Sequence, residues 1–352
     1  MLTVRSKSEC RWDVVSLGEV MLRFDPGDEL IRTARNFRVW EGGGEYNVAR
    51  NLASCFRLNT AIITALADNE VGRLVEGLIS QGRVDTSQII WCETDGICRN
   101  ARNGMYFWER GFGSRRPKGC SDRANTAISQ VKPGDVNWKN IFGKKGARWF
   151  HTGGIFAALS ESTAEVAAEA MQAAREFGSI VSYDLNYRES LWSGRGGREA
   201  ADRLNRRLLE FADVVFGIEG FDTSLYRYDE TVFRDAARSM QGPHPNLRII
   251  ATPLRRNDGG SRRDLSGVCF ADGKVSRAPS IDGIDVLDRV GSGDAFAAGF
   301  IFELLSGNGG QEAIDTAAAA AALAMTTAGD SLFSTPDEIQ RLLGASTNPL
   351  SR

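Results

Sequence analysis

The chain has 352 residues, 42% of them hydrophobic and 25% charged, with a net charge of −2. That length can bury a sizeable core, and the near-neutral balance gives no general electrostatic reason to bind nucleic acid or a membrane surface. Two histidines and six cysteines without a C-x-x-C pair argue against a zinc centre, a histidine-based hydrolase triad and a disulfide framework.

No apolar signal-peptide core precedes Asp13, so a cytoplasmic protein with reduced thiols is expected. From there "DVVSLGEVMLRF" predicts a strand, "YNVARNLASCF" a helix and "TAIITAL" a second strand. The segments 23–41 and 96–113 carry β-type patterns without intervening helices, as paired strands standing off the main sheet as a small lid would. Beyond them, "ARWFHTGG", "SIVSYDLN", "DVVFGIE", "RIIATPL" and "SGVCFAD" alternate with helical stretches such as "STAEVAAEAMQAAREFG" and "REAADRLNRRLLEFA". His151 in the first of these reads as a hydrogen-bonded core residue. Near-continuous apolar strands alternating with helices indicate an α/β fold on a mostly parallel sheet. A helical pair follows from Asp294 to Ala328, with an apolar run, Ala317–Met325, too short to span a membrane. One domain over 1–345 and a frayed tail over 346–352 are expected.

Ligands of such folds collect at the carboxyl ends of strands, and three stretches place polar groups there. In "WEGGGEYNVA", Gly42, Gly43 and Gly44 lead into a helix start where Asn47 would present an amide; a flexible turn with an Asn cap is the alternative. In "SYDLNYRESLW", Asp184, Asn186 and Arg188 alternate, which puts them on one strand face. They form either a charged-ligand site or a local Asp184–Arg188 salt bridge. In "DRVGSGDAFAAGF", the bulk-free loop Gly291-Ser292-Gly293 precedes Asp294 at the mouth of an apolar helix. An anion site at the helix N-terminus and an ordinary cap by Asp294 both fit. Neither a Walker A pattern nor a strand followed by G-x-G-x-x-G is present.

Together these motifs resemble the PfkB-type (ribokinase-like) carbohydrate kinases. "DRVGSGD" is similar to their D-x-x-G-A-G-D signature and "GGGEYN" to their N-terminal motif. "GMYFWERG", "SDRANTAIS", "ARWFHTGGIF" and "YDLNYRESLW" resemble the 2-keto-3-deoxygluconate kinase branch. The resemblance runs from about Val14 to Leu343. It implies a ribokinase-like three-layer α/β/α sandwich with a small β lid, a homodimer through that lid, and use of ATP with Mg2+. Asp294 would be the general base, and the N–H groups of Gly291, Ser292 and Gly293 the anion hole. Gly42, Gly43, Asn47 and Tyr106 match sugar-contacting positions, and Arg123 and Arg188 match the carboxylate clamp of an acid sugar. Asn186 matches a phosphate contact, and Glu219, Thr252 and Arg255 fall on the nucleotide side. No direct protein ligand to a metal is assigned.

Four departures from the family pattern, at five positions, stand out. Ser292 replaces an alanine, which leaves the backbone donors in place, and Ser121 replaces a tyrosine of the sugar site. Ile218 and Phe221 stand where an N-x-x-E motif usually orders Mg2+ and phosphates, and only Glu219 remains. Pro253 stands where a phosphate-facing threonine is usual. The losses cluster on the nucleotide side. The expected function is phosphorylation of the terminal hydroxyl of a small sugar acid such as 2-keto-3-deoxygluconate. The alternatives are a catalytically weak sugar-binding protein on a kinase fold, or a kinase for a neutral sugar or nucleoside.

Overall fold

The computed structural model describes residues 2–256 and 262–344, so the expected tail lies outside the described residues. The strands, numbered in chain order, form two sheets. The smaller sheet stands off the body. It contains β2 (Met21–Asp25), β3 (Arg38–Gly42), β6 (Met105–Glu109) and β7 (Lys118–Asp122), in the order β3-β2-β6-β7. Its fourth strand falls after the expected 96–113 segment; β7 is exposed and polar throughout, so no apolar pattern announced it.

The larger sheet contains β1 (Trp12–Leu17), β4 (Thr60–Ala67), β5 (Ile89–Cys92), β8 (Ala147–Gly153), β9 (Ile180–Asp184), β10 (Val214–Phe216), β11 (Ile249–Arg255), β12 (Arg262–Ala271), β13 (Lys274–Arg277) and β14 (Ile281–Asp285). From β5 through β4, β1, β8, β9 and β10 to β11, neighbouring strands are parallel. β12 continues the sheet antiparallel to β11, and β13 and β14 pair antiparallel with β12. The parallel strands β1, β4 and β10 are buried along their whole length, which explains their unbroken apolar runs.

The stretch expected to be one strand, "DVVSLGEVMLRF", is two. It breaks at Gly18–Val20, where the chain leaves the main sheet as β1 and enters the lid as β2. Periodicity alone could not see this, because both halves are largely buried strands.

Ten helices surround these sheets: α1 (Gly44–Ser54), α2 (Glu70–Gln81), α3 (Gly154–Ala157), α4 (Glu161–Glu176), α5 (Glu189–Trp192), α6 (Gly197–Leu209), α7 (Glu230–Gln241), α8 (Ser292–Leu305), α9 (Gly310–Ala324) and α10 (Pro336–Gly344), counted among the described residues. One face of the main sheet packs Val166, Ala170, Leu208 and Phe233 of α4, α6 and α7. The other packs Val48, Leu52, Phe296, Phe300 and the alanines of α8 and α9. The result is an α/β/α sandwich. His151 is buried in it, with Nδ1 2.8 Å from the Ser182 hydroxyl, and burial pushes its imidazole down to about 3. All six cysteines are free thiols. No helix of the described residues is long and apolar enough to cross a membrane.

The alanine run of α9 has a packing reason. At Gly299 of α8, a Cβ would sit 3.0 Å from the Thr316 carbonyl and 3.1 Å from Ala317 Cα. The two helices approach at backbone distance, which only small residues allow, and this pair holds the buried helix that begins at Ser292. Gly299→Leu is expected to lower stability by about 1–3 kcal/mol through overpacking, as measured by urea unfolding.

Candidate active site

The parallel strands end along one edge, and the polar residues gather there. Asp294 lies in the first turn of α8 and is 9% exposed. Gly291 caps that helix at φ +80°, a left-handed conformation that glycine adopts without steric cost. The first N–H groups of α8, from Ser292 to Asp294, have no partner within the helix and carry its positive end. The Ser292 hydroxyl is turned away, donating to the Arg289 carbonyl at 3.1 Å. The Arg255 guanidinium reaches 3.7 Å from where a Gly293 side chain would begin.

A second glycine loop meets this one. The Asn47 amide, on α1, donates to Asp294 Oδ2 at 2.7 Å, and its Oδ1 accepts the Gly43 N–H at 3.3 Å. A Cβ on Gly44 would lie 3.7 Å from Asp294 Oδ1 and 3.9 Å from Asn186 Nδ2. Gly44 therefore lies at ordinary contact distance from both the carboxylate and the Asn186 amide. Gly42 packs against Tyr106 and Asp330, and Gly43 against the Glu19 backbone.

Four acids crowd this space. Burial pushes Asp294 well above the usual carboxylate range; the Asn47 amide opposes this, while Asp184, Asp330 and Glu45 add to it. Burial likewise lifts Asp184 to about 6, against the Asn186 N–H that it accepts at 3.1 Å. Glu45 is lifted to about 7 by burial, against the N–H of Phe156 at 3.2 Å. Basic groups rim the acids. Burial, then Arg263, holds Arg255 below its ordinary value, and burial, Arg263 and Arg188 do the same for Arg289. Guanidinium groups that depress one another favour an anion between them.

The other expected residues fall in distinct places. β9 ends at Asp184, so Asn186 and Arg188 lie in the following turn rather than alternating along a strand face as expected. The chain turns there because Asp184 accepts the Asn186 N–H. Arg188 is exposed, and no Asp184–Arg188 ion pair forms. Arg123 is paired with Glu19, which is buried with its Oε1 unpartnered among the described residues. The Tyr106 hydroxyl donates to Asp330, and Ser121 lies directly opposite Tyr106 in the lid register.

On the nucleotide side, Thr252 is 3% exposed and shares the strand face of Ile250 and Leu254, away from Arg255. Glu219 is half-buried, and its Oε1 lacks a partner among the described residues. Ile218 and Phe221 pack against the core, Phe221 with its ring 5.3 Å from that of Phe233. Pro253 pairs with Gly267 of β12.

Glu45, Glu19, Gly44 and Asp330 were missed as site residues. Glu45 and Gly44 sat inside the quoted "GGGEYN", but nothing in the spacing showed which glycine faced the acid. Asp330 follows an alanine-rich helix without any local pattern. A pH dependence follows from Glu45. Its folded pKa, about 7, lies above its usual 4.5, so its contribution to stability is full below about pH 4.5 and is lost as the pH rises to 7. Glu45→Gln is expected to be more stable than the native protein at pH 8, by about 3 kcal/mol, with a smaller gain at pH 5 in urea unfolding.

The pattern of the pfkB family carbohydrate kinases matches residues 12–219 and 265–338. A 2-dehydro-3-deoxygalactonokinase of Haloferax volcanii is 31% identical over 94% of this chain and 96% of its own length. A 5-dehydro-2-deoxygluconokinase of Geobacillus kaustophilus is 25% identical over 90% of this chain and 88% of its own. The crystal structure of a 2-dehydro-3-deoxygluconokinase from Thermotoga maritima superposes with a TM-score of 0.84 at 31% identity, covering 94% of this chain and 99% of the other. A buried carboxylate behind a helix N-terminus is the arrangement a phosphoryl-accepting hydroxyl needs, and the chain that builds it belongs to the pfkB family of carbohydrate kinases.

Proposed function

We propose that this kinase transfers the γ-phosphoryl group of ATP to the terminal hydroxyl of a small keto-deoxy sugar acid, with 2-keto-3-deoxygluconate the simplest candidate. The observation that carries this reading is Asp294, buried at the N-terminus of α8 and held by the Asn47 amide beside Gly44. Asp294 takes the proton of the attacking hydroxyl. Its raised pKa makes it a stronger base at neutral pH than an ordinary carboxylate. The N–H groups of the 291–293 loop, with Arg255 beside them, receive the charge of the transferring group.

Arg188, whose side chain makes no hydrogen bond or ion pair among the described residues, binds the sugar carboxylate, and Arg123 joins it by sharing its pair with Glu19. The names of the three relatives given above, each a kinase of a keto-deoxy sugar acid, support such a substrate, while two probable fructokinases of Arabidopsis thaliana, 25–26% identical over 83% of this chain, support a neutral sugar. A neutral-sugar kinase is the second reading, favoured by the Arg123–Glu19 pair, which already satisfies one arginine of the clamp.

The residues fit a metal that arrives with the nucleotide. No cluster of three metal-ligating side chains exists among the described residues, and Glu219 Oε1 is a buried acceptor without a partner there. Bound Mg2+ would neutralise phosphate charge while keeping most of its waters, with Glu219 holding one of them. Asn186 and Arg255 complete the proposed nucleotide side, and Thr252, buried on the opposite face of its strand, stays outside it. The protein is a single domain with an inserted lid, works in the cytoplasm and pairs with a second copy through the lid sheet.

Asp294→Asn is expected to lower kcat by 10²–10⁴-fold with the fold intact, as measured by ADP release and circular dichroism. In the native enzyme, kcat/KM should fall on acidification along a one-proton limb centred above the ordinary carboxylate range. Arg188→Ala should raise KM for an acid sugar tenfold or more and leave that for its neutral analogue unchanged. Equal effects on both sugars would remove Arg188 from the clamp.

A further inference from the structure

Arg23 lies on lid strand β2, yet its side chain is fully buried among three carboxylates. It donates to Asp25 at 3.1 Å, to Asp330 at 2.6 Å and to Asp288. Arg110 also reaches Asp25, at 3.6 Å, and such a cluster could be a simple staple, because removing the central cation from buried acids is destabilising in any context. Two of these acids, however, have a second task.

Asp288 begins the "DRVGSGD" loop, and its Oδ1 accepts the Val290 N–H at 3.2 Å while its Oδ2 accepts the Gly329 N–H at 3.4 Å. Asp330 takes Arg23 and the Tyr106 hydroxyl on its carboxylate. Its backbone meanwhile lies against Gly291, filling the space that any side chain there would need. Trp40 of lid strand β3 packs over Gly329, with its ring 5.8 Å from that of Phe333. Three lid strands therefore rest on segments 288–291 and 329–333, and both of these segments shape the loop that caps α8.

We propose that Arg23 is a positioning residue for phosphoryl transfer: through Asp288 and Asp330 it sets the 291–293 loop according to where the lid lies. This rests on the reading of that loop as the phosphoryl site. A displacement of β2 must be taken up by Asp288 or Asp330, because a buried fork holding two carboxylates has no solvent to relax into. In turn, either acid moves the backbone on which Gly291 leans. Assembly of the lid over the sugar thus completes the donors only when the acceptor is enclosed, which guards the nucleotide against water.

The test uses Arg23→Lys, which keeps the charge but not the planar fork that spans both acids, and Asp330→Asn, which keeps the acceptor oxygen. The expected result is folded protein in which kcat falls tenfold or more while KM for the sugar stays within threefold, since the loop acts on the transition state. Hydrogen exchange at the amides of residues 291–294 should become faster in both variants. Folded variants with kcat within twofold of the native enzyme and unchanged exchange would overturn the proposal, and so would losses that merely follow the folded fraction. If the native protein phosphorylates no sugar, the phosphoryl reading fails, and the exchange measurement still decides whether Arg23 sets the loop.

Discussion

The hydrogen bond from the Asn47 amide to the Asp294 carboxylate joins the starts of two buried helices that are 247 residues apart in the chain. Everything at the site depends on it. α1 and α8 lie on the same face of the sheet and bring their glycine-rich N-termini together at the strand ends. The bond sits beside Gly44 and depends on a left-handed turn at Gly291 and close packing of α8 on α9 at Gly299. Removing bulk at these places does not create a ligand. It lets the two helix starts meet at a carboxylate that burial has made basic.

The acids and arginines around that carboxylate are balanced by position rather than by pairing. Glu45, Asp184 and Asp294 have pKa values raised by burial, while Arg188 and Arg255 stand near Asp184 and Arg289 stands near Asp288. A ligand carrying several negative charges would relieve the arginines but repel the acids. The arrangement therefore suits a bound species whose anionic groups lie at its ends and whose hydroxyls lie between. That description is the one the proposed pairing of a sugar acid with a nucleoside triphosphate would meet. The apolar side chains of Ile218 and Phe221 share in core packing, so the departures from the family pattern have been absorbed structurally.

Much of this was legible in the sequence because glycine, asparagine and aspartate are chosen by local geometry. "GGGEYN" and "GSGD" declared two loops and a carboxylate before any contact was known. The parallel sheet was legible for the same reason, since strands covered on both faces read as unbroken apolar runs. Long-range pairing was not legible. Arg23 and Asp330, which are 307 residues apart, carry no mutual signal. The break between β1 and β2 escaped because burial is alike on both sides of it. Alternation misled at Arg188, where a side-chain-to-backbone bond from Asp184 ends the strand early. Arg123 was identified by its motif, but its present partner, Glu19, lies 104 residues away and could not be.

The central claim is that this site phosphorylates the terminal hydroxyl of a sugar acid. The most direct measurement is phosphorus NMR of the product formed from Mg-ATP and 2-keto-3-deoxygluconate, with fructose run in parallel. The account predicts a phosphate monoester coupled to the terminal methylene protons of the acid, formed at least tenfold faster than any ester of fructose. Equal rates on the two sugars, or no ester from the acid while fructose is phosphorylated, would contradict it.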